Sequence, residues 1–337
     1  MGLTLESMLN PQVSRVTRST DNLVVLTYGG NGLGKTPVAT KMEKPYYLAF
    51  GKSGLSGLNN VPFEPIMNWS EFKQFNKILC NKKNYEVLHE HYHTIILDEM
   101  EVLYKYCEEY VANTEGVRKI KEGNGGYGLW GDLKDEWEKE MLRIMGSGFC
   151  IMFILHAAPD DSGKMQPVGD VKRMLPILKN HSEIIGYVRS NGVNPETGKA
   201  IHSSLMLVDT DEFFARTRNE YFDPYIEDYT AENLVKAYYT ALDRQEKAEG
   251  VSAITREQKE EMYKTEELDF DELMAQLQEL APVLVELKGQ DALTDIVEQT
   301  LGKDAKVMNC TPKQVQALKV ILGDMQDAVT EAQADKE

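Results

Sequence analysis

Gly29-Gly30-Asn31-Gly32-Leu33-Gly34-Lys35-Thr36 fits the spacing GxxxxGK[ST] without a gap. Glycines at this spacing let the backbone curl until successive N–H groups point at one anion. Lys35 adds a positive charge for terminal phosphates, and Thr36 offers a hydroxyl to a divalent cation. The chemistry predicted is the binding of a nucleoside triphosphate, ATP, with Mg²⁺ along Gly29 to Thr36. A helix starting near Gly34 would aim its positive end at the same anion. Thr94-Ile95-Ile96-Leu97-Asp98-Glu99 is an apolar run ending in two carboxylates. Asp98 is expected to join Thr36 in holding Mg²⁺, through water. Glu99 either polarises the attacking water or is a solvated acid at a helix start, where carboxylates are common.

Three further groups carry potential chemistry. The apolar run Phe149–Leu155 ends at His156, where a polar side chain could sense the terminal phosphate; the alternative is a histidine satisfied by backbone. Arg216 and Arg218 follow the last apolar run and could reach a phosphate within the chain or across a subunit boundary. Otherwise they are surface residues. His89, His91 and His93 alternate, but with no fourth ligand or cysteine pair nearby they read better as a turn before a strand than as a metal site. Two segments could touch single-stranded DNA. One is 118–127, basic, then glycine-rich, then ending in Tyr127; the other is the long loop Asp160–Asp170. Both are also compatible with ordinary solvated connections.

The elements that must position these residues follow from the hydrophobic pattern. Apolar runs at Leu23–Tyr28, Tyr46–Phe50, Thr94–Leu97 and Phe149–Leu155 read as buried parallel strands. Helical stretches at Lys35–Met42, Ser70–Leu79, Glu101–Val111 and Trp130–Met145 lie between them. Alternation of this kind predicts an α/β fold whose mostly parallel central sheet is flanked by helices. Ile184–Val188 and Ser203–Val208, joined by a turn at 194–198, predict an antiparallel extension at the sheet edge. From Ala231 the chain reads as helical, with Thr230 as N-cap and Gly250 closing a first helix. Amphipathic helices are then expected at about 256–263, 268–288, 290–301 and 312–329. The domains predicted are 1–249, including a leader over 1–20, and an acidic helical C-terminal region over 250–337.

Composition narrows the function class. The 337 residues are 42% hydrophobic and 27% charged, with a net charge of −17, which argues against a surface wholly devoted to nucleic acid. The charge is uneven. Residues 251–337 hold nine Lys/Arg against nineteen Asp/Glu, so a local basic groove is compatible with the remainder. That tail could compete with DNA for the basic loops or dock a partner. No apolar run approaches the roughly 20 residues that span a bilayer, and the N-terminus lacks the apolar core of a signal peptide. Cys80, Cys107, Cys150 and Cys310 form no CxxC pair and read as thiols in a reducing cytoplasm.

From Leu23 to about Ile226 the order of these parts resembles the phage-encoded, RecA-like P-loop nucleotide-binding proteins of the recombination and single-strand-annealing group. The resemblance rests on the glycine-rich loop, Lys44-Pro45-Tyr46-Tyr47-Leu48, Trp69-Ser70-Glu71-Phe72, Thr94–Glu99, the Gly126-Tyr127-Gly128 turn, His156 and the segment Arg216–Arg218. It implies a RecA-like ATPase acting with single-stranded DNA and a single-stranded-DNA-binding protein in the host-cell cytoplasm. It also implies a homo-oligomer that shares its ATP sites, with Lys35, Glu99, His156 and Arg218 in catalytic roles. One departure is visible. Such enzymes usually carry a carboxylate at the end of the strand after the loop's helix, and here that strand ends Ala49-Phe50-Gly51-Lys52. An alternative of another class is therefore a nucleotide-dependent protein scaffold with little hydrolysis and no DNA binding. A small-molecule kinase is a poorer match, because nothing after the loop resembles an acceptor site or an arginine-rich lid.

Overall fold

A computed structural model describes residues 8–51, 57–263 and 268–334. The chain divides into two compact units, one of Val13–Glu260 and one made of residues up to Gln12 with those from Glu261 onward. Among the described residues, ten strands of the first unit form one sheet with the order β10-β8-β7-β1-β5-β4-β2-β3. These are β1 Val24–Gly29, β2 Pro45–Phe50, β3 Phe63–Ile66, β4 Thr94–Asp98, β5 Cys150–Pro159, β7 Ile184–Arg189, β8 Ser204–Met206 and β10 Tyr225–Ile226. Off this path, β6 Met165–Pro167 pairs with β5 and β9 Arg216–Thr217 with β7. The six strands from β7 to β3 are mutually parallel, whereas β8, β9 and β10 extend the sheet antiparallel.

Each central strand is buried on both faces because its side chains alternate between two cores. Val24, Leu26 and Tyr28 of β1 face one side, packing with Ile95 and Leu97 of β4 and Ile151, Phe153 and Leu155 of β5. Four helices cover that face: α2 Trp69–Leu79, α4 Met100–Thr114, α5 Trp130–Met145 and α6 Leu175–His181. Trp69 and Trp137 stack at 5.6 Å in its centre. Their indole N–H groups donate to Glu136 (2.8 Å) and the Met174 carbonyl (3.2 Å), which removes the cost of burying them. Val25, Ile96, Met152 and Ile154 face the other side. There α1 Lys35–Ala39 and α7 Ala231–Glu249 cover them. The helix α1 has five residues, shorter than the pattern predicts.

Residues 251–260 pack within the first unit: Ile254 is buried and bridges Thr17. Helix α8, Arg256–Met262, begins there. The second unit contains α9 Phe270–Lys288, α10 Gln290–Leu301 and α11 Val315–Ala334 around a core that includes Leu277, Leu284, Leu318 and Leu322. Among the described residues no helix is long and apolar enough to cross a membrane. A further helix of the first unit, α3, spans Tyr85–His91.

Candidate active site

The parallel strands all end at one edge of the sheet, called the upper edge below, and a ligand site belongs there. β1 delivers Gly29 to it. A side chain at Gly29 would meet the Val188 carbonyl at 2.7 Å, so only glycine lets β1 run beside β7 at this point. Gly34 then takes φ +87°, a left-handed turn that a side chain would strain, and passes the chain into α1. Lys35 is buried, and its Nζ donates to the carbonyls of Gly29 (2.9 Å) and Gly30 (2.7 Å). Burial lowers its pKa, offset in part by the charges of Asp98 and Glu101.

Strand β5 lies between β1 and β4, pairing with both in parallel register. This insertion sets the distances of the site. It leaves room for Thr36 on α1 to reach over to Asp98 at the end of β4: Thr36 Oγ1 donates to Asp98 Oδ2 at 2.5 Å. Tyr47 on β2 donates to the same oxygen at 3.1 Å. The other oxygen, Oδ1, accepts the backbone N–H of Glu99 at 2.8 Å. Glu99 makes that bond by adopting φ 64°, ψ 62°, a left-handed conformation that costs a non-glycine residue free energy. The strained turn therefore has a local purpose, fixing the Asp98 carboxylate. Burial nevertheless raises the Asp98 pKa against these three donors.

The same insertion sets His156 level with Gly29 in the β1–β5 register. His156 is oriented by Glu101, which the sequence reading passed over. Glu101 Oε1 accepts the backbone N–H of His156 at 2.9 Å and lies 3.3 Å from its Nδ1. Glu101 Oε2 is buried and has no hydrogen-bond partner among the described residues. The signal for Glu101 was a second carboxylate in the first helical turn past Asp98. What concealed it was that its partner lies 55 residues away on a neighbouring strand.

Arg216 and Arg218 do not come to this site within the chain. β9 runs antiparallel to β7 and pairs Thr217 with Ile184, while Ile184 is level with Val25 at the start of β1. Arg218 thus lies at the opposite, lower edge, roughly 17 Å along the strand from Gly29 at about 3.3 Å per residue. There both arginines serve the end of α6. Arg216 donates to the carbonyls of Lys179 (2.5 Å) and Ser182 (3.1 Å), and Arg218 to that of Asn180. The expected reach to a phosphate of the same chain is corrected accordingly.

The histidine segment is also not a simple turn. His89 lies in the last turn of α3, and His93 leads into β4 at the lower edge. Segment 118–127 is tied down rather than loose. Ile120 is buried, and its carbonyl accepts the Leu129 N–H at 3.0 Å. Arg118, Lys119 and Lys121 are exposed around it. Gly128 takes φ +87° against the Trp130 indole, and Tyr127 projects from this turn 86% exposed. The Arg173 guanidinium lies 4.3 Å from the centre of the Trp130 ring.

The hydroxyl of Thr36 and the carboxylate of Asp98 are hard oxygen donors of the kind Mg²⁺ takes. The buried amine of Lys35 keeps one N–H beyond the two it spends on carbonyls. The residues therefore fit a polyphosphate with its metal ion. A strand ending in a glycine-rich loop, a neighbouring carboxylate and a central, mostly parallel sheet define a P-loop nucleotide-binding protein. The chain belongs to a family of AAA domain proteins, whose model matches residues 21–219. It is also 44% identical over 324 residues to the SPbeta prophage-derived uncharacterized protein YorG of Bacillus subtilis (strain 168), covering 96% of this chain and 99% of that protein. Family membership implies nucleotide binding and, in general, hydrolysis.

Proposed function

We propose that this chain is a Mg²⁺-dependent ATP hydrolase of phage DNA recombination or single-strand annealing. It acts on single-stranded DNA beside a single-stranded-DNA-binding protein, as a homo-oligomer. The observation that carries the hydrolytic half is the Glu101–His156 pair set level with Gly29. In this reading Gly29–Thr36 hold the phosphates, and Thr36 and Asp98 are the ligands of Mg²⁺, which when bound draws charge from the phosphates. Glu101 supplies the carboxylate missing from the end of β2, and its unpartnered Oε2 accepts the proton of the attacking water. His156, tethered through Nδ1, keeps Nε2 for the terminal phosphate. Glu99 is a positioning residue that holds Asp98 through its own backbone N–H.

The DNA half is supported by the surface around Tyr127. An exposed aromatic, a second aromatic under an arginine, and three exposed basic residues are what a stacking, charge-neutralising contact with single strands requires. The origin of the prophage-derived relative supports the phage setting. The test is ATP hydrolysis with and without single-stranded DNA, with Lys35→Ala as control. DNA-stimulated turnover that disappears in Lys35→Ala is expected. ATP binding without turnover at any DNA concentration would favour the nucleotide-dependent scaffold, the reading that the absent carboxylate after Phe50 supports. DNA affinity should fall steeply with salt, because phosphate contacts release counterions.

A further inference from the structure

At the lower edge of the sheet, Asp21 Oδ1 lies 2.9 Å from His89 Nε2 and 2.9 Å from His93 Nε2. We propose that these three residues form a binding site for a divalent transition-metal ion of the zinc class, separate from the Mg²⁺ ligands of the upper edge. Two imidazole nitrogens and one carboxylate oxygen are a donor set that Zn²⁺ or Co²⁺ takes and Mg²⁺ does not favour. All three atoms lie within 4.8 Å of one another. Tetrahedral bonds of about 2.0–2.1 Å need donor atoms roughly 3.3 Å apart, so the two oxygen–nitrogen distances need to open by only a few tenths of an ångström.

The surrounding structure fixes the donors before any ion arrives. His89 lies within the last turn of α3 and His93 follows four residues on, the H-x₃-H spacing of many zinc sites. The His89 ring stacks on Tyr85 at 5.0 Å and meets His93 edge-on at 5.3 Å. The His93 side chain is only 8% exposed and that of Asp21 11%, so these polar groups sit where water does not readily satisfy them. Arg256 lies on the far side of the carboxylate, 3.9 Å from Asp21 Oδ2, and leaves Oδ1 to the histidines. Asp21 also lines a cavity of about 270 Å³ bordered by Ser19, Arg218, Gln245 and Lys259, from which water can supply a fourth ligand. An ion here ties the segment before β1 to the α3–β4 connection, beside Arg256. The outer shell is incomplete, because His93 Nδ1 is buried without a partner among the described residues. Such partners are worth about 10–100-fold in affinity, so binding is expected to be reversible and weaker than in a structural zinc finger.

The experiment uses the full-length, chelator-stripped protein without nucleotide. Titration with Co²⁺ should produce the visible absorption of a four-coordinate ion, saturating at one equivalent, displaced by Zn²⁺ and unaffected by excess Mg²⁺ with ATP. Asp21→Asn and His93→Ala should weaken Co²⁺ binding at least tenfold, whereas Thr36→Ala should leave it unchanged. Because His93 is buried and its replacement can impair folding, His89→Gln at the half-exposed helix end serves as the second variant. No stoichiometric absorption, or binding that survives in His89→Gln and Asp21→Asn, would overturn the proposal. The trio would then be a carboxylate hydrogen-bonded by two neutral imidazoles.

Discussion

Two carboxylates at opposite edges of the sheet, Asp98 and Asp21, respond to burial in opposite ways. At the upper edge burial raises Asp98 and lowers Lys35, so in each case the fold disfavours the charged form despite the hydrogen bonds around it. At the lower edge burial also acts against Asp21, but hydrogen bonds from His93 and His89 overcome it and hold the carboxyl well below the usual range. The Asp98 charge, opposed by burial, stands beside the glycine-rich loop, whereas the Asp21 charge is held by histidines of a distant segment and so contributes to holding the chain together. The contrast separates the residues around the glycine-rich loop from the trio that ties segments to each other.

Substitutions at the upper edge should therefore change chemistry and spare stability. The largest effect is expected for Glu101→Gln, which keeps the shape but removes the proton acceptor. Turnover should fall by about 10²–10⁴-fold, the usual worth of a general base, with nucleotide affinity nearly unchanged. Steady-state hydrolysis beside equilibrium binding checks this, and a greater loss in Glu99→Gln would transfer the role to Glu99. Lys35→Ala comes next. Losing charge-assisted hydrogen bonds of about 1.5–3 kcal/mol each should weaken ATP binding by roughly 10–100-fold. The melting temperature without nucleotide should not fall, since the buried ammonium is disfavoured by its surroundings.

At the lower edge the same kind of change should cost stability and leave ATP alone. Asp21→Asn is expected to lose about 1–2 kcal/mol near neutral pH, allowing for the partial exposure of the pair. Because the folded carboxyl is held below its ordinary value of 3.8, the contribution is complete above that pH and is lost as pH falls through the folded value. Asp98→Asn should do the reverse and raise the nucleotide-free melting temperature. The folded pKa of Asp98 lies above 3.8, so the advantage of the variant should be complete above the folded pKa and shrink as pH falls through it toward 3.8. Denaturation curves over pH would collapse the comparison if both variants moved the same way.

How much of this was legible in the sequence depended on whether partners were neighbours along the chain. Gly29–Thr36 is contiguous, and Asp98 ends an apolar run, so both could be read directly. Helix α5 matches its predicted span of Trp130–Met145 because its apolar residues keep one helical face. Strand β3, Phe63-Glu64-Pro65-Ile66, escaped because it is a sheet edge with three of its four residues exposed and a proline inside. Glu101 with His156, and Asp21 with His89 and His93, depend on which strands and helices lie side by side. No local period records that. The arginines show the converse: Arg216 and Arg218 lie near an expected strand end, but β9 runs antiparallel, which places them away from a phosphate held by their own chain.

Arg218→Ala is the smallest expected change and tests that placement. Arg218 donates to the Asn180 carbonyl at the end of α6, and its backbone N–H bonds to Glu183 at 2.9 Å. The backbone bond survives the substitution, so only an exposed side-chain contact is lost, worth about 0.5 kcal/mol or less. Within one chain it cannot reach Gly29, so turnover measured at high dilution should change less than twofold. The measurement becomes informative when repeated at rising protein concentration. Wild type and variant should keep the same ratio of rates if Arg218 acts only on its own α6. A tenfold loss that appears only at concentrations where chains associate would mean that Arg218 enters a neighbouring chain's nucleotide site. The lower edge of one sheet would then take part in the chemistry of the upper edge of the next.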